Sequence, residues 1–262
     1  MSRLQLTFAC GGETLAGTVD TAPGVTGLLL VSGGNEIRSG AFSGQARIAA
    51  EIARAGFPVF RYDRRGIGDS EGINRGFRDS RADIAAALSA FRAIAPQVER
   101  VVGFGNCDAA SALMLFRGVG CDGLVLSNPW TIEDERSGDA VAAQPASALR
   151  ARYLEKLKNP REVLRLLSGG VNYRKLLRGL AKAAGPKAAE NSLAAEMRAG
   201  LAEFTGPVRI LLAERDRTAR MFAEHWDTSD RRVARCPGAG HAYVEPEVQA
   251  WLRERLLEAL RF

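Results

Sequence analysis

Short apolar runs of strand length alternate along this chain with longer stretches whose apolar residues recur at helical spacing. That alternation restricts the fold more than any other feature, because it specifies a mainly parallel sheet with helices on both faces. Residues 4–8 and 13–19 predict an opening hairpin around Gly11 and Gly12. Buried strands are expected at 28–31 (LLLV), 59–62, 100–104, 123–126 (GLVL), 208–213 (VRILLA) and 232–236. Helices are expected over 42–55, with Gly56 as stop signal, and over 79–94, 109–116 and 245–260. Ile84, Leu88 and Phe91 share one face of the second helix, and Val248, Trp251, Leu252 and Leu256 form the buried stripe of the last.

After Trp130 the pattern changes, and 131–205 reads as helices alone, with Tyr153, Leu154, Leu157, Leu164, Leu167, Leu176, Leu177 and Leu180 near i, i+3, i+4 spacing. The expectation is a helical cap over 131–205, inserted into a core made of 1–130 and 206–262. The 262 residues suffice for one large core, and 46% hydrophobic with 25% charged residues is an ordinary globular composition. Charge is uneven. Residues 150–187 hold 11 Lys and Arg against Glu155 and Glu162, so this stretch carries +9 while the whole chain carries +6. The plain interpretation is a solvated helical face; the sharper one is an electrostatic rim for an anionic substrate or membrane surface. Nucleic acid is not implied, since no aromatic interleaving accompanies the charge. No signal-peptide run opens the chain and no stretch approaches the roughly 20 apolar residues of a membrane span, so a cytoplasmic location is expected. The four cysteines, Cys10, Cys107, Cys121 and Cys236, are scattered without a CxxC pair, which suggests neither a disulfide frame nor a metal site, and no cofactor motif is present. Nothing in the sequence fixes the oligomeric state.

The most informative run is VVGFGNCDAAS at 101–111, where a buried strand meets a helix at Gly105-Asn106-Cys107-Asp108-Ala109. A nucleophile held on so sharp a turn needs small residues two before and two after it, and Gly105 and Ala109 meet that need. Cys107 stands where the commoner G-x-S-x-G pattern has Ser; the helix N-terminus and an imidazole would favour its thiolate. The plainer alternative is a small buried hydrophobe. Of the two histidines, His241 follows a short strand in the glycine-rich Gly238-Ala239-Gly240-His241 loop and is the expected base, while His225 lies in an expected helix. Asp216 follows the strand ending at Ala213 and is the expected acid, or else only a helix N-cap; Glu214, Glu133 and Asp134 are reserve acids. The chain order Cys107, Asp216, His241 is nucleophile, acid, base, the order of α/β hydrolases. Oxyanion donors are expected from the N–H of Asp108 and from Ser32-Gly33-Gly34-Asn35, Gly34 first and Asn35 next.

Across nearly its whole length the chain resembles the α/β-hydrolase superfamily, and Asp63-Arg64-Arg65-Gly66-Ile67-Gly68-Asp69-Ser70 looks like the D-x-R-G-x-G-x-S loop of that superfamily. More narrowly, Gly33-Gly34-Asn35-Glu36-Ile37-Arg38-Ser39-Gly40, the elbow, and Leu126-Ser127-Asn128-Pro129-Trp130 are similar to those of the exosortase A system-associated hydrolase 1 family. That resemblance implies a cytoplasmic, cysteine-nucleophile enzyme linked to bacterial exopolysaccharide and protein-sorting loci. The Cys-His-Asp set also resembles the dienelactone hydrolases, from which the long cap sets it apart. The expected chemistry is hydrolysis of an ester or thioester through an acyl-enzyme, on a small or carrier-bound acyl substrate; acyl transfer on the same scaffold and a catalytically idle binding protein are the rivals.

Overall fold

The computed structural model describes residues 2–132, 192–227 and 229–261. The chain divides into two compact units, 1–131 with 193–262 and 132–192, and the description below concerns the first. Eight strands form one sheet: β1 (Arg3–Cys10), β2 (Glu13–Asp20), β3 (Thr26–Val31), β4 (Val59–Tyr62), β5 (Arg100–Asn106), β6 (Gly123–Ser127), β7 (Val208–Ala213) and β8 (Val233–Cys236). Their spatial order is β1-β2-β4-β3-β5-β6-β7-β8. The opening hairpin is antiparallel and β2 runs antiparallel to β4; every other pair is parallel. This is the mainly parallel, helix-flanked sheet expected from the alternation, in the α/β-hydrolase arrangement that the chain order and the resemblance implied.

The order reverses at β3, whose neighbours are β4 on one side and β5 on the other. Chains leaving β3 and β5 therefore diverge to opposite faces, and the crevice between their carboxyl ends is where α/β sheets bind ligands. Val31, the last residue of β3, lies beside Tyr62 and Gly105 in register, which brings the Ser32-Gly33-Gly34 turn against the elbow. Gly33 is obligatory there: a Cβ would stand 2.6 Å from the Asn106 carbonyl oxygen and 2.7 Å from Asp108 Oδ1.

Six helices are described: α1 (Gly44–Arg54), α2 (Arg81–Ile94), α3 (Asp108–Leu115), α4 (Ser192–Ala202), α5 (Arg217–His225) and α6 (Pro246–Leu260). The period-two geometry of strands sorts the core into two layers. Leu29 and Val31 of β3 pack with Ile84, Leu88 and Phe91 of α2 and Leu113 of α3 on one face; Leu28 and Leu30 pack with Ile48 and Ile52 of α1 and Leu252 and Leu256 of α6 on the other. Each such fully buried side chain contributes about 1.5–3 kcal/mol. The chain stops α1 at Gly56, φ 102, and starts α6 with Pro246 at its first turn.

Helix α4 falls inside the stretch expected to form the cap, yet Leu193, Met197 and Leu201 are buried in the same layer as α2 and α3. The rest of that stretch, 133–191, lies outside the described residues, and with it Glu133, Asp134 and the basic run at 150–187.

Candidate active site

Cys107 sits between β5 and α3 with φ 61 and ψ −127. A non-glycine residue held there stores about 1–3 kcal/mol of strain, so its surroundings must hold it in place. Its N–H donates to the Ser127 carbonyl (3.0 Å), and its carbonyl accepts from the N–H of Ala110 (3.1 Å), Ser111 (3.3 Å) and Trp130 (3.3 Å). Gly105 is needed because a Cβ would lie 2.7 Å from the backbone of Ala109 and Ala110. All four cysteines are free, and Cys107 alone is partly exposed. Burial pushes the thiols of Cys10 and Cys236 up, and that of Cys121 up to about 12. These three are inert packing groups.

His241 is half-buried, and its Nδ1 is 2.9 Å from Asp216 Oδ2. It is held far above the ordinary imidazole value, at about 10, first by the hydrogen bond to Asp216 and then by a hydrogen bond to Cys107, against the opposing effect of burial. Asp216 and His241 of the expected set are thus in direct contact, and Cys107 acts on the same imidazole through its charge. Asp216 serves two purposes at once. Buried and at the N-cap of α5, its Oδ1 accepts from Thr218 N–H and its Oδ2 from Ala219 N–H, both at 3.2 Å. Two helix N–H groups thus fix the carboxylate that holds the imidazole. Glu214 is exposed and has no hydrogen bond to His241 among the described residues. His225 ends α5, and its carbonyl accepts from Arg198 Nη2 at 2.9 Å, a structural contact.

The oxyanion turn differs from expectation. Gly34 N–H, the donor expected first, donates to Asp108 Oδ1 at 2.6 Å. It is occupied because Asp108, pinned at the start of α3, reaches back across the crevice with its carboxylate, whose Oδ2 is 3.6 Å from Arg64. The Arg64 guanidinium also donates to the Gly34 carbonyl. The N–H groups of Asp108 and Asn35 have no acceptor among the described residues and remain as donors. The turn is also anchored from β4, since Asp63 accepts from Arg38 N–H at 2.5 Å and pairs with the Arg38 guanidinium. The Asp63-Arg64 loop thus braces the oxyanion turn itself.

A polar bridge under the site escaped the sequence reading. Asn128 at φ 44 accepts from Ala213 N–H through Oδ1 (2.8 Å) and donates through Nδ2 to Asn106 Oδ1 (2.9 Å). Asn106 Nδ2 in turn donates to the His241 carbonyl at 3.2 Å. Two asparagines thereby tie together the ends of the segments bearing nucleophile, acid and base. The available signal was the polar pair Ser127-Asn128 closing an apolar strand, and the polar Asn106 at the end of another.

Beside His241, between α1 and α6, a cleft open to solvent encloses about 630 Å³. Ile48, Phe104 and Leu252 give it apolar walls, and Glu36, Gln45 and His241 line it as well. Burial pushes the Glu36 carboxyl up, partly countered by His241. Among the described residues no cluster of three potential metal ligands occurs, and no helix is long and apolar enough to cross a membrane.

A parallel sheet with its order reversal at β3, a strained elbow after β5 and a histidine loop after β8 define the α/β-hydrolase class. The match is explicit in sequence: residues 28–254 fit the model of the alpha/beta hydrolase family, and the chain belongs to that family. No curated protein matches it. Among solved structures it is similar to the Pyrococcus furiosus esterase Pf2001, at 14% identity and TM-score 0.63 over 99% of this chain and 90% of that one. It is similar to alpha/beta hydrolase GrgF from Penicillium sp. sh18, at 18% identity and TM-score 0.62 over 100% of both chains. A thioesterase domain from the curacin biosynthetic pathway aligns at 12% identity and TM-score 0.56 over 98% of this chain and 100% of that one. At such identities the likeness concerns the fold.

Proposed function

We propose that this protein is an acyl hydrolase that attacks ester or thioester carbonyls with the Cys107 thiolate. One observation carries the proposal: His241 Nδ1 is hydrogen-bonded to the Asp216 carboxylate at 2.9 Å, and the imidazole is raised to about 10 by Asp216 first and by Cys107 next. A base so placed can take the proton of a neighbouring thiol and then has that proton ready for a leaving group. The thiolate adds to the acyl carbonyl, and the oxyanion faces the N–H groups of Asp108 and Asn35, joined by Gly34 when the Asp108 carboxylate gives way. The imidazolium then protonates the departing alcohol or thiol, leaving a thioester on Cys107. Water, deprotonated by His241, cleaves that thioester, releasing the acid and returning the proton to the Cys107–His241 pair. A thiolate is also a good leaving group, so thioesters, lactones and aryl esters suit this site better than amides. The esterase and thioesterase domain that share the fold support the same class of reaction. The motif likeness to the exosortase A system-associated hydrolase 1 family supports a cytoplasmic role beside exopolysaccharide or protein-sorting systems, with the basic run at 150–187 as the surface for an anionic partner.

Intact-mass measurement after exposure to a panel of p-nitrophenyl esters and acyl thioesters tests the proposal. A transient acyl adduct on Cys107, abolished by prior iodoacetamide treatment, is the expected result; turnover that survives alkylation of Cys107 would end it. A second reading, a hydrolase fold retained for binding, is favoured by the occupied Gly34 N–H. It predicts no adduct with any ester and an alkylation rate like that of a free thiol.

A further inference from the structure

In the mechanism above His241 protonates the leaving group and later deprotonates the acceptor, so both must lie against the flank of its imidazole. That flank opens onto the cleft between α1 and α6. The cleft has room for more than the one water molecule that hydrolysis needs there. Glu36, Asn106 and His241 belong to its polar lining, and Ile48 of α1, Phe104 and Leu252 of α6 to its apolar lining.

The charges matter too. Asp216 holds His241, Glu36 feels both His241 and Asp108, and among the described residues Arg64 is committed to Asp108 and the Gly34 carbonyl. The Cys107–His241 pair is neutral in sum whichever atom holds the proton. Glu51, which also lines the cleft, is paired with Arg253 at 3.4 Å, and Arg47 lies exposed on the rim. Glu36 accepts a long hydrogen bond from Gln45 (3.4 Å), and no guanidinium among the described residues pairs with it.

We propose, on the basis of the acyl-transfer reading of Cys107 and His241, that this cleft binds the alcohol or thiol half of the substrate. The half it takes is an amino alcohol or amino thiol: the reacting oxygen or sulfur at His241, the ammonium a few bonds away at Glu36, and an apolar body in the seam. A half bearing a carboxylate there is repelled.

Calorimetric binding of three isosteric probes to the whole protein tests this without requiring turnover: leucinol, 4-methylpentan-1-ol and 2-hydroxy-4-methylpentanoate. Leucinol is expected to bind about tenfold or more tightly than the neutral alcohol, a difference of about 1.4 kcal/mol, with the hydroxy acid weakest, and Glu36→Gln is expected to bring leucinol and the neutral alcohol to near parity. Gly44→Leu places a side chain at the cleft, at a helical φ of −61 with no atom within 4 Å of its Cβ, and is expected to weaken all three probes. Equal or tighter binding of the hydroxy acid, an undiminished preference in Glu36→Gln, or unchanged binding in Gly44→Leu would overturn the proposal. Selective binding of leucinol without any acyl adduct on Cys107 would remove the hydrolase reading and leave the cleft; an adduct without selectivity would do the reverse.

Discussion

Cys107, His241 and Asp216 depend on one another through charge. Asp216→Asn keeps the size and an acceptor for the α5 N–H groups but removes the charge that raises His241. We expect kcat to fall by about two to four orders of magnitude and the His241 titration to move downward, both measurable on the purified variant. The stability consequence follows from the sign of the shift. His241 titrates higher in the folded protein, at about 10, than its unfolded value near 6.5. Its contribution is therefore complete below pH 6.5 and is lost as pH rises toward 10. Melting temperatures of wild type and His241→Gln should differ most at or below pH 6.5 and converge at the alkaline end; a constant gap would contradict the assignment. At this scale the residue types and chain order were legible, because a strained turn demands small neighbours and a base needs a reaching loop. The Asp108 carboxylate on Gly34 N–H was not, because a contact across 74 positions leaves no local trace.

Among the elements, the strand ends matter more than the strands. Gly105→Ala would drive a Cβ to 2.7 Å from the α3 backbone, and a loss of about 1–3 kcal/mol in denaturant unfolding is expected, together with lower activity as the elbow shifts. Asn128→Leu strips the Ala213 N–H of its acceptor and cuts the link to Asn106; leaving a buried donor unpaired costs about 1–3 kcal/mol. Asn128→Asp keeps the acceptor and loses the donor, so it should recover much of the stability while remaining deficient in kcat. Equal behaviour of the two variants would mean that the bridge to Asn106 has no bearing on the site. Strand and helix positions were readable from periodicity to within a few residues, as at 59–62 and 208–213. Helix α4 was assigned to the insertion because helical spacing says which face is apolar and nothing about the surface that covers it.

On the scale of the molecule, the fold separates its thiols by environment. Cys10, Cys121 and Cys236 are buried and Cys107 is not. Titration of the native protein with a chromogenic disulfide should register one fast thiol, with the other three appearing only on unfolding; a second fast thiol would place another cysteine at the surface. The sequence alone determined the layered α/β architecture, the elbow and the candidate set of sulfur, imidazole and carboxylate, since each rests on local rules of period, turn and order. Only the tertiary structure decided that the strand order reverses at β3, that Asp108 and Arg64 close over the Gly34 turn, that two asparagines join three loop ends, and that a cleft lined by Glu36 opens beside His241. Those features arise from contacts between residues remote in the chain, whose partners are set by packing rather than by neighbours in sequence.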